Sequence, residues 1–346
     1  MKVEKFTLTP GFEISRVMKG GWQLSAGHSE GNQQHAIEDM FAFVDAGITT
    51  FDCADIYTGV EELIGSFRKE YRTKRGMDAP IQIFTKYVPD YDLLAKLTKR
   101  EVEKVIDRSL LRLGVEQLDM VQFSWWNYAV PNWVETAHWL KELQQAGKIK
   151  LLGGTNFNTL ATKAMIDAGV HINTLQVQYS LLDNRPEKEL SAFCQANNIQ
   201  FVCYGTVAGG FLSDRWLDKP EPMPPFDNRS LIKYKLIIDE IGGWDVLQHI
   251  LQTIQQIALQ KNVSITNVAT RYILQKPCVA TAIIGARSQA HIADNLRVFD
   301  FELSPSEMAT IEKALTEKRQ IAGDVFDLER IKDGPHGRIM RYNLNS

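Results

Sequence analysis

An acid, a phenol, an amine and a hydroxyl fall at the ends of short apolar runs in this chain. Asp52 follows 48–51, Tyr57 comes five residues later, Lys86 follows 81–85, and Ser124 follows 120–123. A phenol with a pKa near ~10 is a poor acid at neutral pH, but a neighbouring ammonium favours phenolate and lowers that value. Lys86 beside Tyr57 would then be a usable proton donor, with Asp52 holding Lys86 in place. The set suits passing a proton to or from a carbonyl or alcohol oxygen while a hydride moves at the carbon. Taken singly, Asp caps helices, Tyr packs at loop edges and Lys is a surface residue. Their shared position at strand ends sets them apart.

Those positions follow from an alternation of strand and helix patterns. Strands are expected at 16–20, 49–52, 81–85, 120–123, 151–154, 174–178, 200–204 and 281–284. Between them, helices are expected at 33–46, from the loop after Asp52 to about 72, and at 98–113, 134–146, 160–168 and 187–197, several stopped by glycines such as Gly47, Gly114 and Gly147. Pro220, Pro222, Pro224 and Pro225 mark a long irregular section, a candidate lid, with helical spacing returning from about 244 to 259 and from 267 to 274. Eight strand and helix units joined by short connections predict parallel strands with helical crossovers. The fold class is therefore α/β, a (β/α)8 TIM barrel, with the ends of its strands gathered at one mouth. The alternative, an open doubly wound sheet, lacks its G-x-G-x-x-G fingerprint. A single domain over 1–346 is expected, its core at about 14–300, with a C-terminal helix and a tail over 301–346 that folds over the barrel mouth.

Composition excludes several other classes. The net charge is -3 and the pI is near 6.2, and Lys and Arg are scattered, so no nucleic-acid or anionic membrane partner is indicated. Four cysteines, Cys53, Cys194, Cys203 and Cys278, form no C-x-x-C pair and read as core or loop thiols in a reducing compartment. The first residues have no signal-peptide run, and no window approaches ~18 continuous apolar residues, so a cytoplasmic location is expected. Among seven histidines there is no H-E-x-x-H or other close pair, and no metal site is expected.

The order and spacing of several segments make the chain similar to the aldo-keto reductase family from Gly20 to about Phe299. They are GGW at 20–22, FDCADIY at 51–57, EELIG at 61–65, FTK at 84–86, LDMVQFSWW at 118–126, GGTNF at 153–157, QVQYSLLDNR at 176–185, YGTVAGGFL at 204–212 and IIGARSQAHIADNL at 283–296. The resemblance implies the same eight-stranded barrel and an NADP- or NAD-dependent oxidoreductase interconverting an aldehyde, ketone or sugar carbonyl with its alcohol. It puts Asp52, Tyr57 and Lys86 at three of the family's four catalytic positions. At the fourth, usually a His that helps orient and polarise the substrate carbonyl, this chain has Ser124.

For the cofactor, the resemblance places Asn156 and Gln178 on the nicotinamide carboxamide and Tyr204 against its ring, with Gly21, Trp22 and Asp52 also at cofactor positions. The loop Gly205, Thr206, Val207, Gly209, Gly210 and Phe211 suits a pyrophosphate approached by backbone amides. Gly285 and Arg287 precede a helix whose N-terminus can take the adenosine phosphate, and Asp294 and Asn295 lie where the family binds adenine. His291 stands where many relatives carry Arg or Gln. Arg287 and His291 favour NADP, with NAD left open. Trp22, Tyr57, Trp125 and Trp126, joined by Trp133 unless it serves packing, would form the wall around a small substrate. A rival class exists, since family members that serve as potassium-channel β-subunits bind the cofactor, also lack the His and act mainly as regulatory partners. The oligomeric state is not legible in the sequence.

Overall fold

Two segments at the N-terminus pair before the barrel begins. Strands β1 (Lys5–Thr9) and β2 (Phe12–Ser15) form an antiparallel hairpin turned at Gly11, whose φ of +76° suits only glycine well. No strand is expected from the sequence before residue 16. The computed structural model describes residues 2–25, 33–226, 228–285 and 288–344. After the hairpin come β3 (Val17–Gly20), α1 (Gln33–Asp45), β4 (Thr50–Asp52), α2 (Val60–Arg75), β5 (Gln82–Tyr87), α3 (Lys99–Leu113), β6 (Leu118–Phe123), α4 (Trp133–Gln145) and β7 (Ile149–Thr155). The chain continues through α5 (Thr159–Asp167), β8 (Thr174–Gln178), α6 (Leu190–Ala196), β9 (Gln200–Tyr204), α7 (Arg229–Ile241), α8 (Trp244–Lys261), α9 (Ile265–Leu274), β10 (Val279–Ile284), α10 (Ile292–Leu296), α11 (Pro305–Leu315) and α12 (Asp327–Arg330).

Strands β3 to β10 run parallel, and β10 pairs with both β9 and β3, so the eight close into a barrel. The expected α/β barrel is therefore the observed fold. Inward side chains of the strands, among them Met18, Phe84, Met120 and Val202, cluster with Phe12 and Ile14 of the hairpin, which plugs the end where the strands begin. A larger apolar layer joins the outer strand faces to the helices. Helix boundaries follow local chemistry. Thr98 and Glu101 form a capping box at the start of α3, and Gly114 ends it at φ +65°.

A further element departs from the sequence expectation. Helix α7 lies within the section expected to be irregular up to Trp244. Its apolar residues Leu231, Tyr234, Ile237, Ile238 and Ile241 recur at helical spacing, with Asn228 as N-cap accepting from the Leu231 amide at 3.1 Å. The four prolines lie before it and do not interrupt it.

The tail returns to the mouth. Glu329 meets Arg185, which also bonds Asp183, in a fully buried cluster. The Tyr91 amide donates to the Tyr342 carbonyl at 2.9 Å, and the Leu344 amide donates to Asp90 at 2.8 Å. Among the described residues no helix is long and apolar enough to cross a membrane, and no group of three or more metal-capable side chains assembles. Cys53, Cys194 and Cys203 are buried and Cys278 is half-buried, all four unpaired.

Candidate active site

Asp52 ends β4 and pairs in register with Phe84 of β5, so Lys86, two residues further along β5 on the same inward face, reaches back over it. The Lys86 ammonium donates to Asp52 Oδ1 at 2.6 Å and to the Cys53 carbonyl at 2.8 Å. It stands 3.5 Å from the Tyr57 hydroxyl, the long limit of a hydrogen bond, and 4.9 Å over the Tyr57 ring. A turn in which the Tyr57 amide donates to the Ala54 carbonyl at 3.0 Å brings the phenol inward, and Trp22 packs edge-on against it at 5.2 Å. Ser124, just past β6, is buried beside this group, its amide donating to the Tyr87 carbonyl at 3.0 Å.

The electrostatics differ from the sequence expectation. Burial pushes the Tyr57 phenol up to about 12, and the nearby Lys86 ammonium offsets only part of that rise. For Lys86, burial pulls down, but Asp52 and then Tyr57 outweigh it and the ammonium is held above its ordinary value. The predicted lowering of the phenol is thus corrected, because desolvation of the phenolate exceeds one ammonium at this distance. At neutral pH the pair is a protonated phenol beside a charged amine, a proton donor in place.

Facing these residues is a second group. Asn156 follows β7 at φ +61°, a left-handed conformation that asparagine tolerates. Its side-chain oxygen accepts from the Tyr204 hydroxyl at 2.8 Å, and its carbonyl accepts from Arg330 of the tail at 2.6 Å. The Lys233 ammonium lies 3.5 Å from the Tyr204 hydroxyl and 4.8 Å over its ring. Gly205 and Gly209, both at positive φ, lie under Tyr234: a Cβ at Gly205 would come within 2.0 Å of its hydroxyl. Gly210, at φ +103°, has nothing within 4 Å of where a Cβ would be.

Both groups line one cavity of about 510 Å³. Of the sequence-derived candidates it gathers Asp52, Tyr57, Lys86 and Ser124; Trp22 and Trp126; Asn156 and Tyr204; and Gly205, Thr206, Val207, Gly209, Gly210 and Gly285. Other candidates fall elsewhere. Gly21 lies behind the lining, where a Cβ would come within 2.5 Å of the Asp52 carbonyl. Trp125 is fully buried, its indole N–H donating to the Asn127 carbonyl at 3.0 Å, so it is core and Trp126 alone of that pair faces the cavity. Trp133 packs on Tyr128 and Phe157. Phe211 is core against Trp216 and Trp244. Arg287 lies outside the described residues. His291, Asp294 and Asn295 are on short helices past Gly285 and outside the cavity.

Gln178, expected at the carboxamide, lies outside the cavity lining, of which Gln176 is part. The Gln178 amide donates to Asp183 at 2.6 Å, away from the cavity, whereas Gln176 lines it and donates to Asp52 Oδ1 at 2.7 Å. The two share one strand face because they are two apart on β8, but only Gln176 reaches the cavity lining. Other lining residues escaped the sequence reading: Arg229, Lys233 and Tyr234 of α7, and Phe326, Ile339, Met340, Arg341 and Leu344 of the tail. The helical spacing of 231–241 was the signal available for the first three.

A cavity of this size can hold an elongated ligand. Asn156 and Gln176 offer carboxamides and Gly210 a bare backbone; past the cavity, the Asn295 side-chain nitrogen is buried with no partner among the described residues. The donor set fits a nicotinamide dinucleotide.

The comparisons agree with that chemistry. The model of the aldo/keto reductase family matches residues 16–316. Aldo-keto reductase YhdN of Bacillus subtilis is 25% identical over 311 residues, 88% of this chain and 91% of that protein. NADH-specific methylglyoxal reductase of Escherichia coli is 23% identical over 333 residues, 89% of this chain and 97% of that one. The solved glycerol dehydrogenase AKR11B4 from Gluconobacter oxydans shares the fold at a TM-score of 0.75 and 23% identity, covering 91% of this chain and 95% of its own.

Proposed function

Since the chain belongs to the aldo/keto reductase family, we propose that Tyr57 is its proton donor and acceptor and that Asp52, Lys86 and Gln176 tune and position that phenol. The protein is an NAD(P)H-dependent oxidoreductase that interconverts a carbonyl and its alcohol. The nicotinamide, when bound, supplies or takes the hydride. The observation that carries the assignment is the Lys86 ammonium between the Asp52 carboxylate and the Tyr57 hydroxyl, at 2.6 and 3.5 Å.

In reduction the Tyr57 proton passes to the substrate oxygen. The phenolate left behind faces an ammonium whose charge is secured by Asp52, which lowers the cost of that transfer in a buried site. Gln176 bonds the same Asp52 oxygen, so the carboxylate cannot rotate away from Lys86. Ser124 occupies the place of the family's usual His and offers a shorter hydroxyl donor to the substrate carbonyl. Asn156 and Gln176 would hold the nicotinamide carboxamide, and Tyr204, fixed by Asn156 and Lys233, would present its ring to the nicotinamide. Gly205 to Gly210 would take the pyrophosphate, and Gly285, Arg287, His291, Asp294 and Asn295 the adenosine end. Trp22, Trp126 and the tail would shield the reacting atoms from water, so the whole chain works as one unit on a small aldehyde, ketone or sugar.

The test is NADPH oxidation with a panel of aldehydes, wild type against Tyr57→Phe. Turnover in the wild type that falls by about 10² or more in the variant, with NADPH affinity kept, supports the assignment. Equal rates in the two proteins would remove Tyr57 from the chemistry.

A further inference from the structure

The cavity is strongly cationic at one side. Among its described lining residues are four cations, Lys86, Arg229, Lys233 and Arg341, against one carboxylate, Asp52. Asp52 is taken by Lys86. Among the described residues, no carboxylate lies within ion-pair distance of Arg229 or Arg341.

Their placement is fixed by the fold. Arg229 opens α7, and its guanidinium donates to the Ile339 carbonyl, which ties the tail to that helix. Two residues on is Arg341, followed by Tyr342, whose ring packs on Trp126 at 5.1 Å and on Tyr91 at 5.4 Å. The tail therefore carries Arg341 from α7 to the wall formed by Trp126. Burial lowers the Arg229 pKa, and the nearby charge of Arg341 lowers it further. Two like charges brought near each other repel in the protein alone. An oxyanion between them reverses the sign of that interaction, and guanidinium groups suit carboxylate and phosphate in particular.

We propose that Arg229 and Arg341 bind an oxyanion carried by the substrate at the end away from its reacting carbonyl, so that aldehydes bearing a carboxylate or a phosphate are the preferred class. The proposal rests on the oxidoreductase reading above and narrows its substrate.

Matched pairs test it: butanal against 4-oxobutanoate, and glyceraldehyde against glyceraldehyde 3-phosphate, with wild type and Arg341→Gln. The wild type is expected to favour the anionic member in kcat/KM by about tenfold or more, as charge-assisted hydrogen bonds allow. In Arg341→Gln that ratio falls toward one, and added salt reduces it in the wild type. A ratio unmoved by the substitution, or a wild-type preference for the neutral member, overturns the proposal. So does a loss that appears wholly in the NADPH dissociation constant, which would make the anion the cofactor's own. A second measurement needs no turnover: NADP-loaded protein is titrated with succinate and with inorganic phosphate while Trp fluorescence is followed. Saturable binding weakened by Arg341→Gln supports the site, and binding absent or equal in the two proteins overturns it. Failure of every aldehyde to turn over would count against the oxidoreductase reading, and the titration would still decide the anion site.

Discussion

Gln176 donates to Asp52 at 2.7 Å across the barrel, on the same carboxylate oxygen that Lys86 takes. It is also 3.3 Å from the Gln122 side-chain oxygen, so strands β4, β5, β6 and β8 meet at one buried polar knot. Gln176→Leu removes one donor from Asp52 and loosens Lys86. Turnover is expected to fall by about tenfold, in line with one lost buried hydrogen bond to a charged group. Steady-state rates at saturating NADPH measure it.

The pH profile follows from the Tyr57 phenol being raised to about 12. A raised value keeps the proton on below that pH, so the donor form is complete throughout the neutral range and is lost only as pH climbs toward that value. The kcat/KM for reduction of a neutral aldehyde is expected to show no basic limb from Tyr57 between roughly pH 6 and 10. A limb near neutrality that is absent when the same profile is taken for product release would show the ammonium outweighing burial in the working enzyme.

Ser124→His restores a longer donor at the cavity wall. The expected outcome is a rise in kcat/KM on simple aldehydes, of up to about 10²-fold if the imidazole reaches the carbonyl. An unchanged or lower rate with cofactor affinity intact would mean the hydroxyl already meets its natural substrate.

Gly205→Ala sets a methyl against the Tyr234 hydroxyl at a position with φ +71°. The left-handed backbone alone costs about 1–2 kcal/mol for a residue with a side chain. A total loss above about 2 kcal/mol is expected in urea unfolding, partly recovered by adding Tyr234→Phe.

Arg185 sits fully buried between Asp183 and Glu329. Burial pushes both carboxyls up, but Arg185 prevails and holds each below its ordinary value. Depressed carboxylates add stability above their unfolded values, near ~4, and that stability drains away as pH falls through the lower folded ones. Acid unfolding of the wild type should therefore release the tail below about pH 4. Arg185→Leu takes the paired cation from two buried carboxylates and is expected to lose about 3–5 kcal/mol at pH 7, measured by urea titration.

Much of this was legible in the chain itself. The apolar runs ending at Asp52, Lys86 and Phe123, and the glycines after helices, carry the barrel and bring the reacting groups to its mouth. The choice between Gln176 and Gln178 was not legible, because a period of two puts both on one strand face and depth depends on the stagger of neighbouring strands. Trp125 and Trp126 divide between core and cavity according to the path of one loop, which neighbouring identical residues cannot reveal. The phenol's direction of shift needed its burial, a property of the assembled mouth. Arg229 and Lys233 carried a readable helical pattern, obscured by the prolines before it. Arg341 and Leu344 had no local signal, since their role comes from where the tail is tied down.

The tail lines the site without belonging to any strand or to any helix that covers the barrel wall. Its anchoring bonds run to loops and to helix ends such as the first residue of α7 and leave the strand ladder untouched, so the outer wall of the site can be rewritten while the barrel keeps its own pairing. A bulky group fused at residue 344 would therefore narrow the cavity without touching the pairing of any barrel strand.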